Sequence, residues 1–66
     1  KNKSEFIEGT VKFFKPQNWG FIVSDSGKEI FVHVSGLIDE IRQNDRVRFR
    51  TANRKKGPVA IDVTLL

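Results

Sequence analysis

Hydrophobic and polar residues alternate in short runs along most of this chain, and turn-forming residues separate the runs. Alternation with a period of two is typical of β-strands, because successive side chains of a strand point to opposite faces. The pattern predicts strands at residues 6–15, 19–24, 29–34, 45–51 and 58–65. It also predicts turns at 15–18, 25–28 and 53–57, and one short helical turn within the polar stretch 35–44.

A chain of 66 residues has room for one domain. We expect a folded domain at 5–66 after a polar tail at 1–4. Short strands in so small a chain must hide their edges, and closure of the sheet achieves this. The sequence therefore predicts an all-β fold, a five-stranded antiparallel β-barrel.

The same alternation sorts the side chains by face. Aliphatic residues recur at every second position and are expected to form the core inside the barrel. The residues predicted to point inward are Ile22, Ile30, Val32, Val34, Val47, Phe49, Val59, Ile61 and Val63.

Aromatic residues collect on the opposite face, where Trp19, Phe21 and Phe31 accompany His33. The first strand adds Phe13 or Phe14, since neighbours face oppositely unless a bulge intervenes, and Lys12 lies beside them. Exposed aromatic rings call for a partner. Bases of a single strand stack on such rings, at about 1–3 kcal/mol each, whereas duplex bases already stack on one another. The competing interpretation, that these rings form the core, would expose the aliphatic residues.

Basic residues outnumber acidic ones by 12 to 8, and the formal net charge is +4. Seven of the basic residues lie between Arg42 and Lys56, against the single acidic Asp45. This concentration suits a polyanion, but a solvated surface is an equally good interpretation. Likewise, the basic loop from Arg54 to Pro58 is either a solvated hairpin tip or a phosphate clamp.

The composition argues against several other functions. The chain has no cysteine, so it has neither a disulfide framework nor a thiolate metal site. His33 is the only histidine and has no metal-ligating or catalytic companions at suitable spacing. No glycine-rich phosphate loop is present, and no apolar run approaches the roughly 20 residues of a membrane span. We expect no enzyme activity and no cofactor.

Four motifs resemble those of the cold-shock domain family, the OB-type barrel of bacterial cold-shock proteins and eukaryotic Y-box proteins. Residues 9–14, GTVKFF, resemble GxVKWF, and 18–22, NWGFI, resemble the first ribonucleoprotein motif, KGFGFI. Residues 30–35, IFVHVS, are similar to the second motif, VFVHFS, and 56–63, KGPVAIDV, are similar to KGPxAxNV. The motifs occur in the family's order and cover nearly the whole chain.

This resemblance implies an OB-fold that binds single-stranded RNA or DNA and acts as an RNA chaperone. Glu29 lies where the family has an acidic residue that can hydrogen-bond a base, and Lys56 where it has a basic loop contact. The binding residues implied are Lys12, Phe13, Trp19, Phe21, Glu29, Phe31, His33 and Lys56, with Phe14 and Arg54 as secondary candidates.

The chain also departs from the family pattern. Phe13 and Trp19 exchange the usual positions of Trp and Phe, which keeps both positions aromatic. Val34 replaces a common aromatic residue, and the segment 37–41 is short and lacks its aromatic residue. These losses predict weak binding and a footprint near the low end of the roughly 4–16 nucleotides of OB-folds.

Two other functions remain as alternatives. A small-barrel protein-interaction module would use the same aromatic patch for a peptide or protein partner, and a weaker hypothesis is electrostatic attachment to anionic membranes. The favoured partner is single-stranded RNA or DNA. We expect a cytoplasmic monomer without a membrane partner.

Overall fold

A computed structural model describes residues 6–55 and 57–66 of the chain. Within these ranges it contains β1 (Ile7–Phe14), β2 (Trp19–Ser24), β3 (Glu29–His33), β4 (Arg46–Arg54) and β5 (Gly57–Leu65). A 3-10 turn, Val34–Gly36, follows β3. The all-β prediction is confirmed. The proposed tail at 1–4 lies outside the described residues, as do Glu5 and Lys56.

The strands close into a barrel in the order β1-β2-β3-β5-β4. Neighbouring strands are antiparallel except β3 and β5, which are parallel, with Phe31 opposite Val59 and Val32 opposite Ala60. A closed ring with an odd number of strands cannot alternate direction at every neighbour, so one parallel pairing is unavoidable. Closure satisfies the strand edges, and the predicted five-stranded barrel is confirmed.

The strand boundaries agree with the prediction at β2 and differ elsewhere. β3 ends at His33, because Val34 begins the 3-10 turn and is only half-buried there. β4 continues to Arg54, which pairs with Gly57 at the start of β5. Gly57 has a φ of 115°, a conformation that favours glycine and that helps the chain reverse sharply. The predicted turn at 53–57 is therefore shorter than expected.

The core lies along the barrel axis, and its largest fully buried side chain is Phe49. Most of the aliphatic residues predicted inside are there, and Ile41 and Ala60 join them. The buried hydrophobic residues are Val11, Ile22, Ile30, Val32, Ile41, Val47, Phe49, Ala60 and Val63. The inward placement of Val59 and Ile61 was wrong, since both are only partly buried.

A bulge in β5 explains this error. The β4–β5 register shifts between Arg48 and Arg50, so that Arg48 pairs with Thr64 but Arg50 pairs with Ile61. The bulged segment of β5 contains Asp62, which adopts a left-handed conformation with a φ of 54°. Such a bulge breaks the alternation of faces. Val63 therefore remains inside while Ile61 turns outward.

Candidate nucleic-acid interface

A bulge in β1 decides which phenylalanine of the first strand joins the aromatic face. Val11 pairs with Ile22 but Phe13 pairs with Phe21, so Lys12 is the extra residue. The bulge leaves both Lys12 and Phe13 exposed on the outer surface, and Phe14 packs partly buried against the core. Phe14 is therefore not part of the aromatic face, and its secondary assignment as a binding residue stays a prediction.

Gly20 allows β1 and β2 to approach closely at this bulge. A Cβ atom on Gly20 would lie 2.2 Å from the backbone oxygen of Phe13 and 2.7 Å from the Cα of Phe14. No side chain fits at that distance. The glycine thus holds the backbone of β1 in the position that presents Phe13 to solvent.

Four aromatic rings form a continuous outer surface, which we call the aromatic platform. Trp19 stands at its centre, with ring centroids 5.9 Å from Phe13, 5.9 Å from Phe21 and 6.1 Å from Phe31. Phe13 and Trp19 are 44% and 39% exposed, and Phe21 and Phe31 are half-buried. The prediction that the rings of β2 and β3 point away from the core is confirmed. The platform consists of Phe13, Trp19, Phe21 and Phe31.

His33 adjoins the platform as the cross-strand partner of Trp19 and is exposed. Its Nδ1 accepts a hydrogen bond from the backbone N–H of Ser35 at 3.1 Å, and lies 2.9 Å from Ser35 Oγ. The neutral ring therefore carries its proton on Nε2. Among the described residues no acceptor is found for that N–H, so it can donate to a ligand, and the bond to Ser35 fixes the plane of the ring.

Lys12 and Glu29 form an ion pair at the border of the platform. Glu29 begins β3 and pairs with Val23 of β2, and the Lys12 side chain crosses β2 to reach it. Their side chains are 57% and 50% exposed. Both residues were predicted to contact nucleic acid, and in the free protein each neutralises the other.

An open groove of about 710 Å³ lies beside Phe31 and His33 and runs toward the β4–β5 hairpin. Because of the β5 bulge, Val59 and Ile61 form part of its apolar wall, and Pro58 completes it. Alternation had placed Val59 and Ile61 inside the barrel, and Pro58 was predicted only as part of the basic loop. The one sequence feature that could have located the bulge is Asp62, because Asp and Asn adopt the left-handed conformation more readily than most residues. The groove is lined by Phe21, Phe31, His33, Ser35, Gly36, Arg54, Lys55, Pro58, Val59, Ala60 and Ile61.

Arg54 and Lys55 are exposed at the rim of this groove. Two of the other cations in the run from Arg42 to Lys56 are already paired with carboxylates from elsewhere in the chain. Arg46 binds Asp25 at 2.7 Å, and Arg50 lies 3.4 Å from Asp62. Arg46 and Arg50 are thus neutralised on the barrel surface, whereas Arg54 and Lys55 leave the rim of the groove cationic.

The Arg46–Asp25 contact is bidentate, with Nη1 donating to Oδ1 at 2.7 Å and Nη2 to Oδ2 at 3.0 Å. Arg46 also donates to Thr10 and lies 3.9 Å from Glu8. Hydrogen bonding from Arg46 lowers the pKa of Asp25, and the same contact raises the pKa of Arg46. The contact ties the β2–β3 turn to β4, away from the platform.

Among residues 6–55 and 57–66, no group of three or more His, Cys, Asp or Glu side chains is placed to hold a metal ion. Nor do these ranges contain a helix with the length and apolar character needed to cross a membrane.

The family model of the "'Cold-shock' DNA-binding domain" matches residues 7–66. The chain belongs to the cold-shock domain family. This membership confirms the resemblance seen in the four motifs and supports nucleic-acid binding as the function of the domain.

Individual relatives agree with the family assignment. This cold-shock domain is 41% identical over 64 residues to the "Major cold shock protein" of Micrococcus luteus, covering 88% of the chain and 96% of the relative. It is 36% identical over 69 residues to the "Cold shock-like protein CspA" of Vibrio cholerae, covering 96% of the chain and 99% of the relative. The two relatives are therefore matched over almost their entire length.

A solved structure supports the fold. The chain "drosophila Unr CSD456" superimposes with a TM-score of 0.80 at 25% identity. The match covers 96% of this cold-shock domain and 27% of that longer chain. It is consistent with the OB-type barrel that the sequence motifs implied.

Proposed function

We propose that this cold-shock domain binds single-stranded RNA or DNA by stacking successive bases on the aromatic platform, and that it acts as a non-enzymatic RNA chaperone. The observation that carries the proposal is the exposed cluster of four rings around Trp19. Single exposed rings are common, but a contiguous exposed cluster of apolar side chains is typical of a binding surface. Each base stacked on such a ring contributes about 1–3 kcal/mol.

The residues around the platform suit the other parts of a nucleotide. His33 offers an Nε2–H donor, and the apolar wall of Val59 and Ile61 gives a base or ribose a surface to pack on. Arg54 and Lys55 stand where they can contact phosphates. The proposed binding residues are Lys12, Phe13, Trp19, Phe21, Glu29, Phe31, His33 and Arg54, with Lys56 added from the resemblance alone.

Single strands fit this surface better than duplexes. A flat platform of rings requires base faces that are free to stack, and duplex bases are stacked on one another. The chain contributes no bulky ring from the short segment after the 3-10 turn, where Ile38 is the exposed hydrophobic residue. We therefore infer a short footprint. We further propose a monomeric, cytoplasmic protein whose folded domain spans residues 5–66.

Trp19 is the only tryptophan, so its fluorescence reports directly on the centre of the platform. A short pyrimidine-rich single strand titrated into micromolar protein at low salt should quench this fluorescence, and a duplex of the same sequence should quench it far less. Binding should weaken as salt is added, because phosphate contacts release counterions. No quenching by the single strand, or equal quenching by the duplex, would contradict the proposal. A peptide-binding module would instead retain its partner at salt concentrations that remove oligonucleotides.

A further inference from the structure

The cations around the candidate nucleic-acid interface differ in whether they are paired. Arg54 and Lys55 are exposed at the rim of the groove, and no ion pair is found for either within the described part of the chain. The ammonium of Lys12, by contrast, is held by the carboxylate of Glu29. The rim of the groove is therefore cationic, whereas the charge beside Phe13 is balanced.

The position of this ion pair follows from the β1 bulge. Regular alternation would direct only one of Lys12 and Phe13 outward, but the register shift exposes both. The lysine therefore lies next to the platform ring of Phe13. Since Val23 pairs with both Thr10 and Glu29, the ion pair crosses the sheet at the end of the platform.

We propose that Glu29 competes with nucleic-acid phosphates for Lys12 and thereby limits the affinity of the interface. This inference rests on the proposed function. A phosphate that reaches Lys12 must displace the carboxylate, and the exposed Glu29 then recovers water and a counterion. Ion pairs this exposed are weak, and they change an equilibrium constant by about fivefold at most. The exchange is therefore accessible at ordinary ligand concentrations, but it lowers the net gain from the phosphate contact.

The exchange also has a consequence for salt dependence. A free lysine that neutralises one phosphate of a single strand contributes about −0.7 to the slope of log K against log salt concentration. When Lys12 leaves Glu29 for a phosphate, part of that counterion release is cancelled by the cation that Glu29 takes up. The wild-type slope should therefore be shallower than the number of phosphate contacts implies.

The substitution Glu29→Gln tests this competition, because it keeps the shape of the side chain and an oxygen that can accept a hydrogen bond from a base, and removes only the charge. The matched control is Glu40→Gln, which changes the net charge equally. Glu40 is exposed beside Phe14 and Pro16 on a different groove. Binding of a short oligothymidylate is followed by Trp19 fluorescence over a series of salt concentrations.

We expect Glu29→Gln to bind about two- to fivefold more tightly than wild type at low salt. Its salt slope should be steeper by up to about 0.7. Glu40→Gln should show a smaller gain and no steeper slope. If Glu29→Gln binds no more tightly than Glu40→Gln, or keeps the wild-type slope, the proposed competition is wrong.

A second pair of variants separates competition from general repulsion of phosphates. In a Lys12→Gln background, Glu29→Gln should no longer steepen the slope, because no lysine is released. If the same steepening occurs without Lys12, the inference is overturned even though charge matters. Failure of the wild-type protein to bind the oligonucleotide at all would instead overturn the proposed function, and this inference with it.

Discussion

The indole ring of Trp19 lies nearly parallel to the ring of Phe31, with 26° between their planes and 6.1 Å between their centroids. The two residues are not direct cross-strand partners, since Trp19 pairs with His33 and Phe31 pairs with Phe21. They are diagonal neighbours on adjacent strands, a relationship close enough for aromatic contact. The stacked rings extend one surface across β2 and β3, and successive bases can lie along it.

Replacing Phe31 with alanine should weaken single-strand binding by about 1–3 kcal/mol, because one stacking partner is removed. The fold should persist, since Phe31 is only half-buried and Phe49 supplies the centre of the core. Binding is measured by anisotropy of a labelled oligonucleotide, and folding by circular dichroism.

Phe6→Ala is the matched control for this substitution. Phe6 is 49% exposed and lies outside the platform. The guanidinium carbon of Arg48 lies over its ring, 4.7 Å from the ring centroid. Loss of this ring should leave oligonucleotide binding unchanged. Equal losses in the two variants would mean that the platform has no special role.

The outward position of Val59 predicts a difference from Val63, which lies on the same strand beyond the bulge. Val63→Thr buries a hydroxyl group where a methyl group was fully buried, and should lower the free energy of unfolding by about 1–3 kcal/mol. Val59→Thr should change it by less than about 0.5 kcal/mol, as expected for a surface site. Urea unfolding of both variants measures the difference. Similar losses would show that the two residues share a face.

The regular parts of the fold were predictable because they depend on local alternation. Trp19 and Phe21 face one way, and Gly20 and Ile22 the other, as the pattern indicates. The departures arise where a bulge inserts a residue, as at Lys12 and next to Asp62. A bulge is selected by packing between strands distant in sequence, so alternation within one strand could not reveal that Ile61 faces outward.

The charges of the site show the same limit. From the sequence, the run containing Arg46 and Arg50 had only Asp45 to oppose it, yet the actual partners are Asp25 and Asp62. These partners meet only when the barrel closes. The chemistry of the platform could be foreseen from residue types, whereas the distribution of free charge around it required the structure.

The Arg46–Asp25 contact gives the stability of the barrel a specific pH dependence. Because the pKa of Asp25 is lowered in the folded state, mainly by its hydrogen bonds from Arg46, the carboxylate stabilises the fold at pH values above its ordinary pKa. This contribution is lost as the pH falls through the lowered pKa. The Tm difference between wild type and Asp25→Asn should therefore be constant above about pH 5 and should shrink below about pH 4.

The Tm difference between wild type and Asp25→Asn should be small, since the Arg46–Asp25 pair is exposed and screened by salt. Thermal melts followed by circular dichroism at several pH values provide the measurement. In an Arg46→Gln background, Asp25→Asn should have little further effect at any pH. A difference that grows toward acid pH, or that persists without Arg46, would contradict the assignment.

Gly20→Ala should damage both stability and binding, because its Cβ would meet backbone atoms of Phe13 and Phe14 that cannot move aside separately. Separating β1 from β2 to admit the methyl group should cost about 1–3 kcal/mol of unfolding free energy. It should also displace the ring of Phe13 from Trp19. Gly27→Ala is the control, since its φ of 94° makes alanine strained, although no atom lies within 4 Å. Gly27→Ala should lose stability but keep its affinity for the oligonucleotide. Affinity measured well below Tm therefore separates the two variants. Equal affinities would show that the close approach at Gly20 does not position Phe13.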